Sequence, residues 1–184
     1  MLNLLRPILL AIPVSLLITL ALVRVCPAQA YFMWVPGADV DKHRGYSKVI
    51  GGQLDDGTPL PICRSLVGGY PVPGKYYNRN CIVPWNGKEV LNSRSYDFLI
   101  SRISLEWKPV HNLSRAQIEN AVVAADGQAN TGRQFFCRMR MKDGIHPGKY
   151  AIGNGLCYIP WGGKEYSFTD GFDILFVVSV SIFK

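Results

Sequence analysis

Four cysteines, Cys63, Cys81, Cys137 and Cys157, follow residue 30 and are the first candidates for chemistry. A thiol can attack a carbonyl, bind a metal or pair as a disulfide. The spacings are too long for a CxxC knuckle, which argues against zinc. An even number of cysteines in an exported chain favours disulfides. Four cysteines allow three connectivities, and the residues alone leave all three open. The histidines are His43, His111 and His146. None falls in a GxSxG, HExxH, phosphate-loop or dinucleotide fingerprint. These residues therefore point away from an enzyme, a metal centre or a bound cofactor. Two lysines remain, Lys75 and Lys149, each closing a Pro-Gly-Lys run. Taken alone, a lysine after such a run is a solvated charge.

The elements that carry these residues occur twice. Cys63-Arg64 and Pro73-Gly74-Lys75-Tyr76 return as Cys137-Arg138 and Pro147-Gly148-Lys149-Tyr150. Cys81-Ile82-Val83-Pro84-Trp85-Asn86-Gly87-Lys88-Glu89 returns as Cys157-Tyr158-Ile159-Pro160-Trp161-Gly162-Gly163-Lys164-Glu165, after two extra residues. Tyr96-Asp97-Phe98-Leu99 returns as Phe172-Asp173-Ile174-Leu175, and Trp34-Val35-Pro36 as Trp107-Lys108-Pro109. Such ordered matches mark a tandem repeat, with copies at 31–103 and 104–184. Equivalent cysteines should pair equivalently, which gives Cys63–Cys81 and Cys137–Cys157.

Each copy reads as strand and turn. Asn86-Gly87 and Gly162-Gly163 suit type I′ hairpins. Pro73-Gly74 and Pro147-Gly148 suit the centre of type II turns. Pro84 and Pro160 predict sheet edges, because proline donates nothing to a ladder. Trp85 and Trp161 are read as hairpin or core packing. Arg64 and Arg138 are read as structural ion-pair partners, and Lys88-Glu89 and Lys164-Glu165 as cross-strand charge pairs. Residues 174–183 read as a terminal strand. Ser114–Ala124 carries the one helical hint, although its Ala-Val-Val end matches the strand at Lys48–Gly51. The expectation is an all-β fold, in which two tandem pseudo-symmetric repeats of short antiparallel strands form one compact sandwich-like domain.

Residues 1–30 differ from the rest. They hold no acidic residue, an apolar run from Ile8 to Val23, and the small-x-small sequence Ala28-Gln29-Ala30. This predicts a signal peptide cleaved after Ala30, hence a secreted or periplasmic protein. The run is short for a membrane span of ~20 apolar residues, so no stable membrane insertion is expected after cleavage. The full chain has 20 basic and 13 acidic residues. Losing Arg6 and Arg24 leaves 18 basic residues and a net charge of +5. Those charges are dispersed, which argues against nucleic acid as a partner. Asn112-Leu113-Ser114 is a glycosylation sequon, relevant only in a eukaryotic secretory pathway.

The order Trp34-x-Pro36, Val49–Gly52, Asp56-Gly57, Leu60, Cys63-Arg64, Pro73–Lys75, Cys81-Ile82, Pro84, Gly87–Glu89 and Tyr96–Leu99 resembles the DM9 (DM-nine) repeat family. That family includes invertebrate mannose-binding lectins and the N-terminal part of natterin-like toxins. The resemblance implies a sugar held by the lysine of Pro-Gly-Lys and by an acid two positions after Gly-Gly. Lys75 fills the first role, and Lys149 is its counterpart. Leu54 stands at the acidic position, so Asp55 and Asp56 become the nearest carboxylates in the first copy, and Asp126 in the second. Lysine donates three hydrogen bonds and a carboxylate accepts several, which suits vicinal hydroxyls. Tyr70, Tyr76, Tyr77 and Trp85, with Tyr150, Tyr158 and Trp161, supply rings for a sugar's apolar face. The resemblance thus implies a non-catalytic, lectin-like protein with glycan partners, mannose-type first among them, and leaves a homodimer open. The alternative on the same scaffold is a structural or protein-interaction module that has lost the sugar. A natterin-like pore is not expected, since no further domain fits in this length.

Overall fold

The computed structural model describes residues 31–127 and 131–178. The predicted signal peptide, and the end of the predicted terminal strand, lie outside the described residues. The first repeat forms β1 (Phe32–Pro36), β2 (Ser47–Lys48), β3 (Ile50–Leu54), β4 (Pro59–Val67), β5 (Tyr70–Tyr77), β6 (Asn80–Trp85), β7 (Lys88–Asn92) and β8 (Asp97–Ser101). The second forms β9 (Leu105–Pro109), α1 (Arg115–Ile118), β10 (Val123–Ala125), β11 (Gln134–Met141), β12 (Gly144–Ala151), β13 (Leu156–Trp161), β14 (Lys164–Phe168) and β15 (Asp173–Val177). The all-β expectation holds. Both halves of the Ser114–Ala124 ambiguity are realised: Ser114 and Gln117 cap one helical turn in a capping box, and β10 follows.

The sheet runs β1-β8-β4-β5-β6-β7-β14-β13-β12-β11-β15-β9. Each strand of the first half faces its repeat counterpart at the mirrored place of the second, so the repeat is also a pseudo-twofold axis between β7 and β14. There Lys88 pairs with Lys164, and the hairpins clasp each other. Gly87 N donates to Glu165 Oε2 at 2.7 Å, and Gly163 N donates to Glu89 Oε2 at 2.6 Å. Strand β3 breaks the symmetry. It pairs with β4 and also with β12, Leu54 opposite Gly144, and so closes the strands from β4 to β12 into a ring.

Three apolar clusters hold this arrangement. One belongs to each repeat, around Val72, Val83 and Phe98 and around Phe135, Ile159 and Ile174. The third joins the repeats: Val49, Ile62 and Leu99 pack with Val122, Phe136 and Leu175. Apolar surface buried between the repeats makes them one unit. The disulfides are Cys63–Cys81 and Cys137–Cys157, as repeat equivalence expects. Arg64 pairs with Asp97 and lies over the Trp34 ring; Arg138 pairs with Asp173 and lies over Trp107. Both are structural contacts, repeated in detail.

Two local expectations need correction. Pro-Gly-Lys is no turn: Pro73–Lys75 lies inside β5 and Pro147–Lys149 inside β12. Glycine is required there by close approach. A Cβ on Gly74 would sit 2.1 Å from the Ile82 carbonyl oxygen, and one on Gly148 2.0 Å from that of Tyr158. Pro84 and Pro160 are not on sheet edges either. They lie in inner strands β6 and β13, just beyond the ladder to β5 or β12, which ends at Ile82 or Tyr158. On that side no ladder needs their missing N–H. The hairpin expectation holds, with positive φ at Asn86, Gly87, Gly162 and Gly163.

Candidate functional site

Both lysines turn inward from β5 and β12 and reach across the pseudo-twofold axis. Lys149 Nζ donates to the Pro84 carbonyl at 2.8 Å, and Lys75 Nζ donates to the Pro160 carbonyl at 2.5 Å. The carbonyls are free to accept because the ladders end beside them. Each lysine also meets a glutamate of its own repeat. Glu89 Oε1 is 3.5 Å from Lys75 Nζ, and Glu165 Oε1 is 3.3 Å from Lys149 Nζ. Lys75 is 4% exposed and Lys149 8%, so neither is the solvated charge that its type suggests. Burial lowers the pKa of both ammonium groups, and the neighbouring glutamates oppose that shift.

Beyond these shared partners the two surroundings part. Lys75 meets a third group, His146 Nδ1, at 2.9 Å. An ammonium can only donate, so Nδ1 accepts and the proton sits on Nε2. Nε2 is 3.0 Å from Asp143 Oδ1, which also accepts from Trp161 Nε1 at 2.7 Å. Burial, and then the Lys75 charge, push the His146 pKa down; Asp143 opposes them. Burial pushes Asp143 up, yet its bonds from Trp161 and His146 hold it below the usual carboxylate range.

Lys149 has no such third partner among the described residues. It lies instead against a cavity of about 130 Å³ that it lines with Trp85, Thr131, Gln134, Tyr158 and Glu165. Its Nζ is 5.4 Å from the centre of the Trp85 ring and 5.1 Å from that of Tyr158. Asn154 donates to the Tyr158 hydroxyl at 2.7 Å and steadies that ring. Gln134 is 3% exposed, and its Oε1 has no hydrogen-bond partner among the described residues. Glu165 Oε1 is also without an aligned hydrogen bond, its 3.3 Å approach to Lys149 being ionic only. A buried carbonyl left unpaired is costly, and a hydroxyl donor placed in the cavity would relieve it.

The carboxylates expected from sequence lie elsewhere. Asp55 is exposed and pairs with Arg140 at 2.9 Å. Asp56 accepts from the Thr58 backbone N–H and closes a turn, a bond that lowers its pKa. Asp126 is exposed in a separate groove with Trp34, Arg64 and Val123. The structure therefore joins Lys75 and Lys149 to Glu89 and Glu165, and not to the three aspartates. Sequence reasoning placed both glutamates in hairpin charge pairs. A carboxylate kept at the same step after Gly-Lys in both copies was the available signal. Trp85 and Trp161 pack against the cores of their repeats, as read from sequence, and Trp85 also faces Lys149. His146 and Asp143 have no counterpart in the first copy, which carries Val72 and Gly69, and so no repeat pattern pointed to them.

A model of the DM9 repeat matches residues 55–168 and again 128–181. The chain belongs to the DM9 repeat family. Among solved structures, the DM9 chain is similar to the nematode sperm cell motility protein MFP2B, with a TM-score of 0.55 at 17% identity. The match covers 70% of this chain and 40% of MFP2B, so the chain corresponds to well under half of that protein, and the likeness concerns the fold. No curated protein sequence matches the chain. Among the described residues of this DM9 protein, no group of three or more His, Cys, Asp or Glu is placed to hold a metal ion. None of its described helices is long and apolar enough to cross a membrane. Its two disulfides fit an extracellular location.

Proposed function

We propose that this DM9 protein is a secreted, non-catalytic carbohydrate-binding protein, and that its sugar site is the Lys149 cavity. One observation carries the reading: an ammonium whose polar partners among the described residues are Pro84 and Glu165 alone, beside a small cavity walled by Trp85 and Tyr158. Glu165 balances the lysine charge, so the site favours a neutral ligand over an anion. A sugar hydroxyl would accept from Lys149 and donate to Gln134 Oε1 or Glu165. The C–H face of the same ring would lie on an aromatic wall. A cavity of about 130 Å³ is smaller than the ~300–1,000 Å³ of sites that engulf a drug-sized ligand. It suits a terminal monosaccharide, with mannose the first to try because the family includes mannose-binding lectins.

Substitutions borrowed from the other repeat test this with little risk to folding. Gln134→Leu and Tyr158→Ile install the residues that the first copy carries, Leu60 and Ile82. On a glycan array the wild type should give a signal on terminal hexoses, and the double variant should lose it. A wild type silent on every glycan, or a double variant that still binds, would refute the proposal. The alternative, a protein-interaction module without a sugar, is favoured by Lys75, whose Pro160, His146 and Glu89 contacts all lie within the chain. A silent array together with a specific protein partner would establish it.

A further inference from the structure

We propose that His146 is a latch that withholds Lys75 from ligand, so that the chain has one working sugar site and one latent site. The inference rests on the sugar-binding reading for its ligand, but not for the latch itself. An ammonium carries three hydrogens. At Lys75 two are donated, to the Pro160 carbonyl and to His146 Nδ1, and Glu89 stands beside them as an ion pair at 3.5 Å, so all three partners belong to this chain. At Lys149 only the Pro84 carbonyl and Glu165 take part. The difference traces to one position. His146 precedes Lys149 as Val72 precedes Lys75, and a valine has nothing to offer an ammonium.

The latch is braced. His146 is 2% exposed, and its Nε2–H is held by Asp143, which is itself fixed by Trp161. The backbone of Asp143 is fixed as well, since its carbonyl accepts from Asp55 N at 2.9 Å. That bond continues the β3–β12 pairing, which has no pseudo-symmetric mate among the described strands. The strand that breaks the twofold symmetry thus also sets the hairpin that carries the latch. A ligand hydroxyl approaching Lys75 would have to displace a buried, oriented imidazole, whereas at Lys149 it meets an open cavity.

Lysine reactivity reads this without any ligand. Reductive methylation followed by peptide mapping should modify Lys149 faster than Lys75 in the wild-type protein. His146→Val should raise Lys75 modification by on the order of tenfold, the equivalent of one charge-assisted hydrogen bond, and leave Lys149 unchanged. His146→Gln, whose side-chain carbonyl can still accept from Lys75, should stay near the wild type and so excludes a general loosening. Calorimetry with methyl α-mannoside then reads the latent site: one sugar per wild-type chain and two per His146→Val chain. Equal reactivity of the two lysines in the wild type would overturn the latch, as would a Lys75 that His146→Val leaves unreactive. A variant with a reactive Lys75 that still binds a single sugar would overturn the latent site. If no sugar binds either protein, the functional reading fails, while the lysine reactivities still decide the latch.

Discussion

The surroundings of Lys75 and Lys149 share one sequence motif and differ in structure. Both lysines donate to a proline carbonyl of the other repeat, and both sit against a glutamate of their own. Around Lys75, the space is taken by His146, with Asp143 and Trp161 behind it. Around Lys149, Tyr158 and Gln134 replace the Ile82 and Leu60 of the first copy, and a cavity remains. A shared motif therefore fixes where a lysine is held. Neighbours outside the motif decide whether it is enclosed by a further partner or keeps a cavity beside it.

The sharpest way to break this comparison is to remove each lysine in turn. Lys75→Ala leaves Glu89 buried without its cation and His146 without its donor. It should destabilise the fold by ~3–5 kcal/mol, the range for breaking a buried pair, in urea denaturation. Lys149→Ala should cost less, because fewer partners are orphaned, and should abolish sugar binding. Equal losses of stability would mean that the extra partners of Lys75 contribute nothing. The disulfides supply a control in which the repeats should not differ. Their sequence separations are 18 and 20 residues, and loops of that length give ~3 kcal/mol each. Replacing either pair by serines should therefore lower the urea midpoint by nearly the same amount, and a large disparity would show that the halves are not energetically alike. Gln134→Leu should run the other way. Removing an unpaired buried carbonyl stabilises by ~1–3 kcal/mol, read as a higher melting temperature, while sugar affinity falls.

The smallest expected effect is on pH dependence. His146 faces Lys75, Glu89 and Asp143, and its pKa is lowered in the fold by burial and by Lys75. In the window below the ordinary histidine value of ~6.5, the unfolded chain binds a proton that the folded chain resists. Stability is therefore intact above that value and declines as pH falls through the window. His146→Val should remove this part of the decline below about pH 6.5, measured as the difference in urea midpoint between the two proteins. An unchanged slope would place the proton elsewhere.

Much of this was legible in the chain, and the limits are physical. Repetition exposed whatever both copies keep: the cysteine pairs, Arg64 and Arg138, the hairpin glycines and the two lysines. It misassigned Pro-Gly-Lys, because proline followed by glycine signals a turn locally. The actual need for glycine, room for the carbonyl of Ile82 or Tyr158, arises only when strands pack. Prolines 84 and 160 misled in the same way, for their unpaired flank faces a lysine of the other repeat and not solvent. Asp55, Asp56 and Asp126 are near the expected acidic positions only along the chain, whereas Glu89 and Glu165 reach the lysines through the hairpin clasp at the twofold axis. His146 was out of reach for pattern reasoning, since it is informative only by differing from Val72.

A structure determined with methyl α-mannoside bound tests the central claim most directly. The account predicts one sugar, seated by Lys149 between Trp85 and Tyr158, with His146 still bonded to Lys75. A sugar bound at Lys75 with His146 displaced, and an empty Lys149 cavity, would contradict it.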